Sequence, residues 1–118
     1  MAEKFDRDLV RGSLDLMVLS SLADGPKYGY LIQKQIREAS AGRVRILAGS
    51  LYPILHRLET DKTIRSRWDR TSGRDRKWYE LTAVGRRRLH SEADQWNDYV
   101  ASVRSLLAPA LRAAPRPA

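Results

Sequence analysis

The hydrophobic period of this chain changes within the segment Leu47–Leu81, and this change constrains the fold more than any other feature. Four apolar residues first recur at helical spacing, namely Leu51, Ile54, Leu55 and Leu58. Two later segments, Ile64–Trp68 and Lys77–Leu81, alternate with the period of a β-strand, and Ser72-Gly73 between them is a turn signal. A helix followed by a β-hairpin is typical of a winged helix-turn-helix. We therefore expect a mainly α fold with a small β-hairpin.

Three further helices are predicted around this unit. A first helix at about residues 8–23 ends at Asp24-Gly25-Pro26, because glycine caps it and proline cannot continue it. A second helix follows Pro26 and ends at about residue 39. The third helix, described above, is expected to begin with Ser50 as its N-cap and Pro53 in its first turn. Thr82 is expected to cap a long last helix at about residues 83–108.

The last helix is expected to face another helix. Its apolar residues recur every seven positions in two rows, with Leu89, Trp96, Val103 and Ala110 in one and Ala93, Val100 and Leu107 in the other. Such spacing, held over three heptads on a single long helix, indicates a helix–helix seam.

Most of the positive charge lies in one segment. Residues 62–88 contain ten basic and three acidic residues, so they carry +7 of the net charge of +8. Such a patch is expected for phosphate binding, although a solubilising surface produces the same imbalance. Arginine outnumbers lysine 17 to 5, which suits bidentate contacts with phosphate or guanine.

Other classes of function find no support in the sequence. The absence of cysteine excludes disulfides and thiolate metal sites. His56 and His90 are the only histidines, and no nucleophile–base pair or metal-ligand spacing is recognisable, so we expect no enzyme, metal or other cofactor. No apolar run is long enough to span a membrane and the N-terminus has no signal-peptide core, so we expect a cytoplasmic protein.

Six short motifs follow one another over roughly residues 12–90. They are Gly12-Ser13-Leu14, Gly25-Pro26-Lys27-Tyr28-Gly29-Tyr30, Gly49-Ser50-Leu51-Tyr52-Pro53, His56-Arg57-Leu58-Glu59, Arg76-Lys77-Trp78-Tyr79 and Leu81-Thr82-Ala83-Val84-Gly85. In this order and spacing they resemble the PadR family of bacterial transcriptional regulators, in its branch with a short C-terminal region. The chain departs from the family at Thr60-Asp61-Lys62-Thr63, where the family often has glycine.

The resemblance implies a homodimer that binds double-stranded DNA. In the family, the first and last helices build the dimer, the third helix enters a major groove, and the wing lies along the neighbouring backbone or minor groove. We therefore expect a repressor of a near-palindromic operator that is released by a small apolar or aromatic effector. The chain is divided accordingly into a DNA-binding winged helix-turn-helix at residues 1–82, a dimerisation helix at 83–108 and a disordered tail at 109–118.

Eight residues are candidates for DNA contacts, namely Tyr28, Ser50, Tyr52, His56, Arg57, Arg74, Arg76 and Lys77. On the third helix, Arg57 is suited to guanine and Tyr52 to a thymine methyl group or a phosphate. Ser50 either binds a phosphate or only caps the helix, and Tyr28 either donates to a phosphate or packs in the core. The three wing cations are expected to contact phosphate or the minor groove.

The expected dimer interface combines both ends of the chain. Its residues are Leu9 and Leu14 on the first helix and Leu89, Trp96, Val100, Val103 and Leu107 on the last. Trp96 has two interpretations. An aromatic residue in a seam usually fills the interface, but in some PadR-like regulators an aromatic residue on this helix stacks against a flat apolar effector.

Two alternative functions remain open. A winged-helix module whose third helix meets a protein has no need for a basic surface, so the charged segment argues against it. An architectural DNA binder without an effector would bend DNA without preferring an operator.

Overall fold

A computed structural model describes residues 4–5, 10–71 and 73–113 of the chain. Within them lie four helices and three strands: α1 (Leu14–Ser21), β1 (Lys27–Tyr28), α2 (Gly29–Ala39), α3 (Ala48–Thr60), β2 (Ile64–Asp69), β3 (Arg76–Leu81) and α4 (Ala83–Arg112). The strands form one antiparallel sheet in the order β1-β3-β2. The predicted fold class, a mainly helical winged helix followed by a long C-terminal helix, is confirmed.

The hydrophobic core lies where α1, α2 and α3 meet the inner face of the sheet. The predicted stripe of α3 is buried, with Leu51 and Leu58 completely inaccessible to solvent. The alternation of β2 and β3 places Ile64, Tyr79 and Leu81 on the same core. Because one side of α3 is held in this way, its opposite side faces outward over most of the length of the helix.

The start of α3 differs from the prediction. Leu47 has extended backbone and is the N-cap residue, and the amides of Ser50 and Leu51 both donate to its carbonyl at 2.9 Å. Ser50 therefore lies in the first turn, and its prediction as the N-cap is wrong. Pro53 falls beyond the first turn, where its missing N–H leaves the carbonyl of Gly49 without the usual helical donor.

Two further elements differ at the N-terminal side. The predicted first helix is interrupted: Val10 and Arg11 are helical, a turn follows at Gly12-Ser13, where the Ser13 hydroxyl donates to the carbonyl of Val10, and α1 begins at Leu14. Lys27 and Tyr28 form β1 and pair with Tyr79 and Trp78 of β3, so the wing sheet has three strands where two were predicted. A strand of two residues is too short to show a period in the sequence.

The last helix begins as predicted and ends later. The Thr82 side chain accepts a hydrogen bond from the amide of Gly85 at 3.0 Å, which confirms Thr82 as the N-cap. The helix continues through Pro109 to Arg112, so residues 109–112 of the predicted tail are helical. Proline at this position removes the hydrogen bond to the carbonyl four residues earlier, and its ring crowds that carbonyl, but the helix continues for three more residues. Residues 114–118 lie outside the described part of the chain.

Gly85 fixes the angle at which α4 leaves the winged helix. A β-carbon on Gly85 would lie 1.9 Å from the carbonyl oxygen of Thr63 and 3.3 Å from Cδ2 of Leu81. The same junction is tied by Thr82, whose amide donates to Thr63 at 3.1 Å and whose hydroxyl donates to Lys62 at 2.7 Å. The two backbones approach this closely only because residue 85 has no side chain.

None of the described helices has the length and hydropathy that crossing a membrane requires.

Gly85→Ala is expected to destabilise the fold by about 1–3 kcal/mol, because the added methyl group forces α4 away from Thr63. Urea unfolding followed by circular dichroism measures this effect. Gly49→Ala is the matched control, because a β-carbon there meets no atom within 4 Å and alanine is favoured over glycine in a helix. Equal unfolding midpoints for the two variants would contradict the close approach.

Candidate nucleic-acid interface

Tyr52 of α3 is fixed against the first turn of α2. A β-carbon on Gly29 would lie 2.5 Å from the Tyr52 hydroxyl oxygen, so the absence of a side chain at Gly29 makes room for the phenol. Tyr52 nevertheless remains 49% exposed. The side chain therefore has a defined position on the outward side of α3, and its free edge faces solvent.

Tyr28 lies on the outer face of the wing sheet. It is paired in register with Trp78, and the two rings meet edge to face with their centroids 5.1 Å apart. The guanidinium carbon of Arg76 lies 4.7 Å from the centre of the Tyr28 ring. A cation over an aromatic face is favourable and restricts the arginine side chain. Tyr28 is thus a half-buried partner of Arg76, outside the buried core cluster.

Glu59 connects α3 to the base of the wing. The Lys77 ammonium nitrogen lies 3.8 Å from its carboxylate, and the Ser66 hydroxyl donates to the same group. On β3, Tyr79 faces the core as expected from strand alternation. Burial raises the pKa of Tyr79, and the nearby Tyr52 and Glu59 add to the effect. These contacts hold the wing at one flank of α3.

The predicted site residues at the wing form two groups on opposite faces of β3. Tyr28 and Arg76 are in contact on its outer face, whereas Lys77 lies on the face of Tyr79, next to Glu59 of α3, and Tyr52 is near the same tyrosine. We call the region where the start of α2, the flank of α3 and the base of the wing meet the wing junction. Three further candidates are separately exposed, namely Ser50 and His56 on α3 and Arg74 near the wing tip.

Arg57 lies on the opposite flank of α3, towards α1. Its guanidinium donates to the carboxylate of Asp15, and the Arg57 side chain is 54% exposed. Sequence analysis did not identify Asp15, because the two residues are 42 positions apart and nothing in either local motif indicates the pair.

Arg88 of α4 completes this group of charges. Its side chain contacts three carboxylates, with Glu92 at 2.8 Å and Asp15 and Asp61 each at 3.6 Å. The hydrogen bond to Glu92, together with the charges of all three carboxylates, raises the pKa of Arg88 despite its partial burial. The spacing of Arg88 and Glu92 is readable in the sequence as a helical i, i+4 pair, whereas the other two contacts are not.

The predicted interface residues divide into two groups. Leu14 and Leu89 pack against the core of their own chain, whereas Trp96, Val103 and Leu107 are 36–49% exposed and Val100 is half-buried. Leu9 lies outside the described residues. Sequence analysis missed Tyr99, Leu106 and Leu111 of the same helix, although they are 63–80% exposed.

Trp96 lines two grooves where α4 passes the helices of the winged helix. One has a volume of about 760 Å³ and a largely apolar lining that includes Met17 and Ile36. The other has a volume of about 560 Å³ and includes Arg57, Arg88 and Tyr99.

Comparison with known proteins identifies relatives over most of the chain. Residues 18–91 match the transcriptional regulator PadR-like family. A transcriptional regulator of Mycobacterium tuberculosis is 34% identical over 83 residues, which are 70% of this chain and 75% of that protein. Two solved structures have a similar fold. A PadR family transcriptional regulator from Eggerthella lenta has a TM-score of 0.75 at 36% identity, covering 86% of this chain and 87% of its own. A transcriptional regulator from Clostridium thermocellum has a TM-score of 0.76 at 28% identity, covering 83% and 96%.

Tyr79→Phe is expected to make folding less sensitive to alkaline pH. The pKa of Tyr79 is higher in the folded than in the unfolded state. The neutral phenol therefore makes its full contribution to the free energy of unfolding below the unfolded-state pKa, about 10. That contribution is lost as the pH rises through the folded-state pKa. Urea unfolding across that pH range should therefore show that the free energy of unfolding falls more steeply with pH for the wild type than for Tyr79→Phe. Tyr99→Phe, which removes an exposed phenol, should follow the wild type. Parallel curves for all three proteins would contradict the role of burial.

Proposed function

The chain belongs to the PadR-like family of transcriptional regulators, and we propose that it is a homodimeric repressor that binds a near-palindromic operator and leaves it when a small apolar or aromatic effector binds. The observation that carries this proposal is the wing junction. There Glu59 joins α3 to Lys77 of the wing, so a helix suited to reading bases and a basic wing suited to holding a phosphate backbone lie next to each other.

In the proposed complex α3 lies in the major groove. Tyr52 and His56 then face base edges, and Ser50, with the amides of the first helical turn, faces a phosphate. Arg57 is proposed to read guanine. One of its guanidinium nitrogens is held by Asp15, but an arginine has five N–H donors and this side chain is half exposed, which leaves donors for a base.

The wing is proposed to hold the DNA backbone. Arg74, Arg76 and Lys77 supply the cations, and the Tyr28 hydroxyl, next to Arg76, supplies a neutral donor. The contacts of Arg76 with Tyr28 and of Lys77 with Glu59 restrict both cations before DNA arrives, which lowers the entropy that binding costs.

Dimerisation is proposed to occur through α4. The exposed side chains of Trp96, Val103 and Leu107, with Val100 between them, continue the half-buried positions Leu14 and Leu89 at the α1–α4 contact. An apolar surface of this extent on a single helix favours a second copy of the same helix as its cover. A two-fold dimer presents two α3 helices to half-sites about one turn of DNA apart.

The effector is proposed to bind beside Trp96. The groove of about 760 Å³ has the size of a small-molecule site, and its lining is largely apolar. Trp96 also lies at the start of the exposed part of α4, so a flat ligand that stacks on its ring changes the surface on which the dimer depends.

Arg57→Ala is expected to reduce sequence preference, whereas Lys77→Ala is expected to weaken binding to every sequence, because only a base contact discriminates between sequences. Fluorescence anisotropy on the DNA upstream of the chain's own gene and on a shuffled duplex, from low to physiological salt, measures both effects. Arg112→Ala is the control, because it removes the same charge at the far end of α4.

Each outcome of this titration has a distinct meaning. A wild-type preference of about a thousandfold or more near physiological salt supports a specific regulator. Equal and steeply salt-dependent binding to both duplexes indicates attraction to phosphate alone, as in an architectural binder. An absence of binding to either duplex, or negligible effects from both Arg57→Ala and Lys77→Ala, would contradict the proposal in favour of a protein partner.

Val103→Glu is expected to convert a dimer into monomers, because it places a charge in the proposed seam. Sedimentation velocity across a range of protein concentrations measures the association. Ser105→Glu is the matched control, because two residues along a helix correspond to about 200°, and Ser105 therefore lies on the other side of α4. Equal dissociation of both variants, or of neither, would contradict this interface.

A further inference from the structure

Asp15 contacts charged side chains from two other helices, and we propose that it is a positioning residue for DNA recognition that acts through Arg57. Through Asp15, the long helix α4 sets the orientation of a base-reading side chain on α3. This inference rests on the proposed function, because it assigns a role to Asp15 in the same DNA complex.

The two carboxylate oxygens of Asp15 have different partners. Oδ1 accepts a hydrogen bond from Nη2 of Arg57, and Oδ2 lies 3.6 Å from Nη2 of Arg88. Asp15 is in the first turn of α1, so a single side chain connects α1, α3 and α4. Neither of its ion pairs joins neighbours on one helix.

The ion pair of Asp15 with Arg88 is less exposed than an ordinary surface pair. The side chains of Asp15 and Arg88 are 29% and 28% exposed. For Lys34 and Glu38 on α2 the values are 47% and 65%, and their charged atoms are 4.0 Å apart. Partial burial reduces screening by water and salt, so the contact with Arg88 holds the Asp15 carboxylate, which accepts from Arg57, more firmly than a surface pair does.

Arg88 links this carboxylate to α4 and to the end of α3. Its Nε donates to Glu92 at 2.8 Å, and its Nη1 lies 3.6 Å from Asp61, the C-cap residue of α3. A guanidinium group is planar and its donors have fixed directions, so several partners together fix its orientation. A displacement of α4 therefore moves Arg88, and with it one of the two cations that hold Asp15.

The consequence for DNA binding is a preoriented Arg57. With one nitrogen held by Asp15, the side chain gives up less rotational freedom when it meets a base. Trp96 of the proposed effector groove also lines the smaller groove of about 560 Å³, whose lining includes Arg57 and Arg88, so the effector site adjoins the residues that Asp15 connects. A double-mutant cycle measures this coupling directly.

The test is such a cycle with Asp15→Asn, Arg57→Ala and the double variant in the full-length chain. Anisotropy gives the dissociation constant of each variant on the operator and on the shuffled duplex. Asp15→Asn should weaken operator binding about tenfold and leave the shuffled duplex unchanged or slightly tighter. In the Arg57→Ala background, Asp15→Asn should cause no further loss of operator affinity. Glu38→Gln, which removes the same charge from an exposed pair on α2, should leave the preference unchanged.

Two further variants keep the total charge. Arg88→Lys retains the cation but lacks the planar fork, so it should lower the preference for the operator. Asp15→Glu retains the carboxylate, so it should keep part of the operator affinity that Asp15→Asn loses. Thermal unfolding of each variant identifies any that fails to fold. If Asp15→Asn fails to fold, the inference is tested with Arg88→Lys and Asp15→Glu instead.

Two results would overturn the inference while the proposed function stands. One is an additive cycle, in which the fold-loss of operator affinity in the double variant equals the product of the fold-losses in the two single variants. The other is an equal loss on both duplexes, which indicates a general electrostatic effect. If the wild type itself shows no operator preference, the proposed function fails and this inference fails with it, and the wild-type titration alone identifies that case.

Discussion

The burial of one side of α3 is the constraint on which the other features depend. Leu51 and Leu58 are completely enclosed by α1, α2 and the sheet, so the rotation of the helix about its own axis is fixed. Removing a large side chain from such a position costs several kcal/mol, far more than any surface contact of the same helix contributes. The outward side is therefore free to be polar and aromatic without loss of its orientation.

The two flanks of α3 are held by different means. On the wing side, Glu59 joins the helix to Lys77 and Ser66, and Tyr52 packs over Gly29. On the other side, Arg57 is joined to Asp15, which also faces α4. The flank next to the wing is thus fixed by an ion pair, a hydrogen bond and a steric contact, and the flank next to the long helix by ion pairs. Only the second flank is connected to the surface proposed for dimerisation.

Local patterns in the sequence were sufficient for the main elements. Periodicity predicted the buried stripe of α3 and the strands of the wing, and the side-chain chemistry of Thr82 predicted the cap of α4. The errors arose where a partner distant in sequence, or a backbone group, decides the outcome. β1 exists only because β3 pairs with it, and the carbonyl of Leu47 takes the capping position expected of Ser50. For the same reason the sequence placed Arg57 on an exposed face but did not indicate the carboxylate that holds it. The division into domains and the DNA contacts remain predictions.

The apolar stripe of α4 has a consequence for the energetics of the whole chain. The helix is about 45 Å long, and its most exposed large apolar side chains, Leu106 and Leu111, lie towards the end that is remote from the core. A partner that covers this stripe binds the folded chain and not the unfolded one, so it stabilises the fold by mass action. In the proposed homodimer that partner is a second copy, so the melting temperature would rise with the concentration of the protein. The same winged helix would then be less stable in a dilute solution than in a concentrated one.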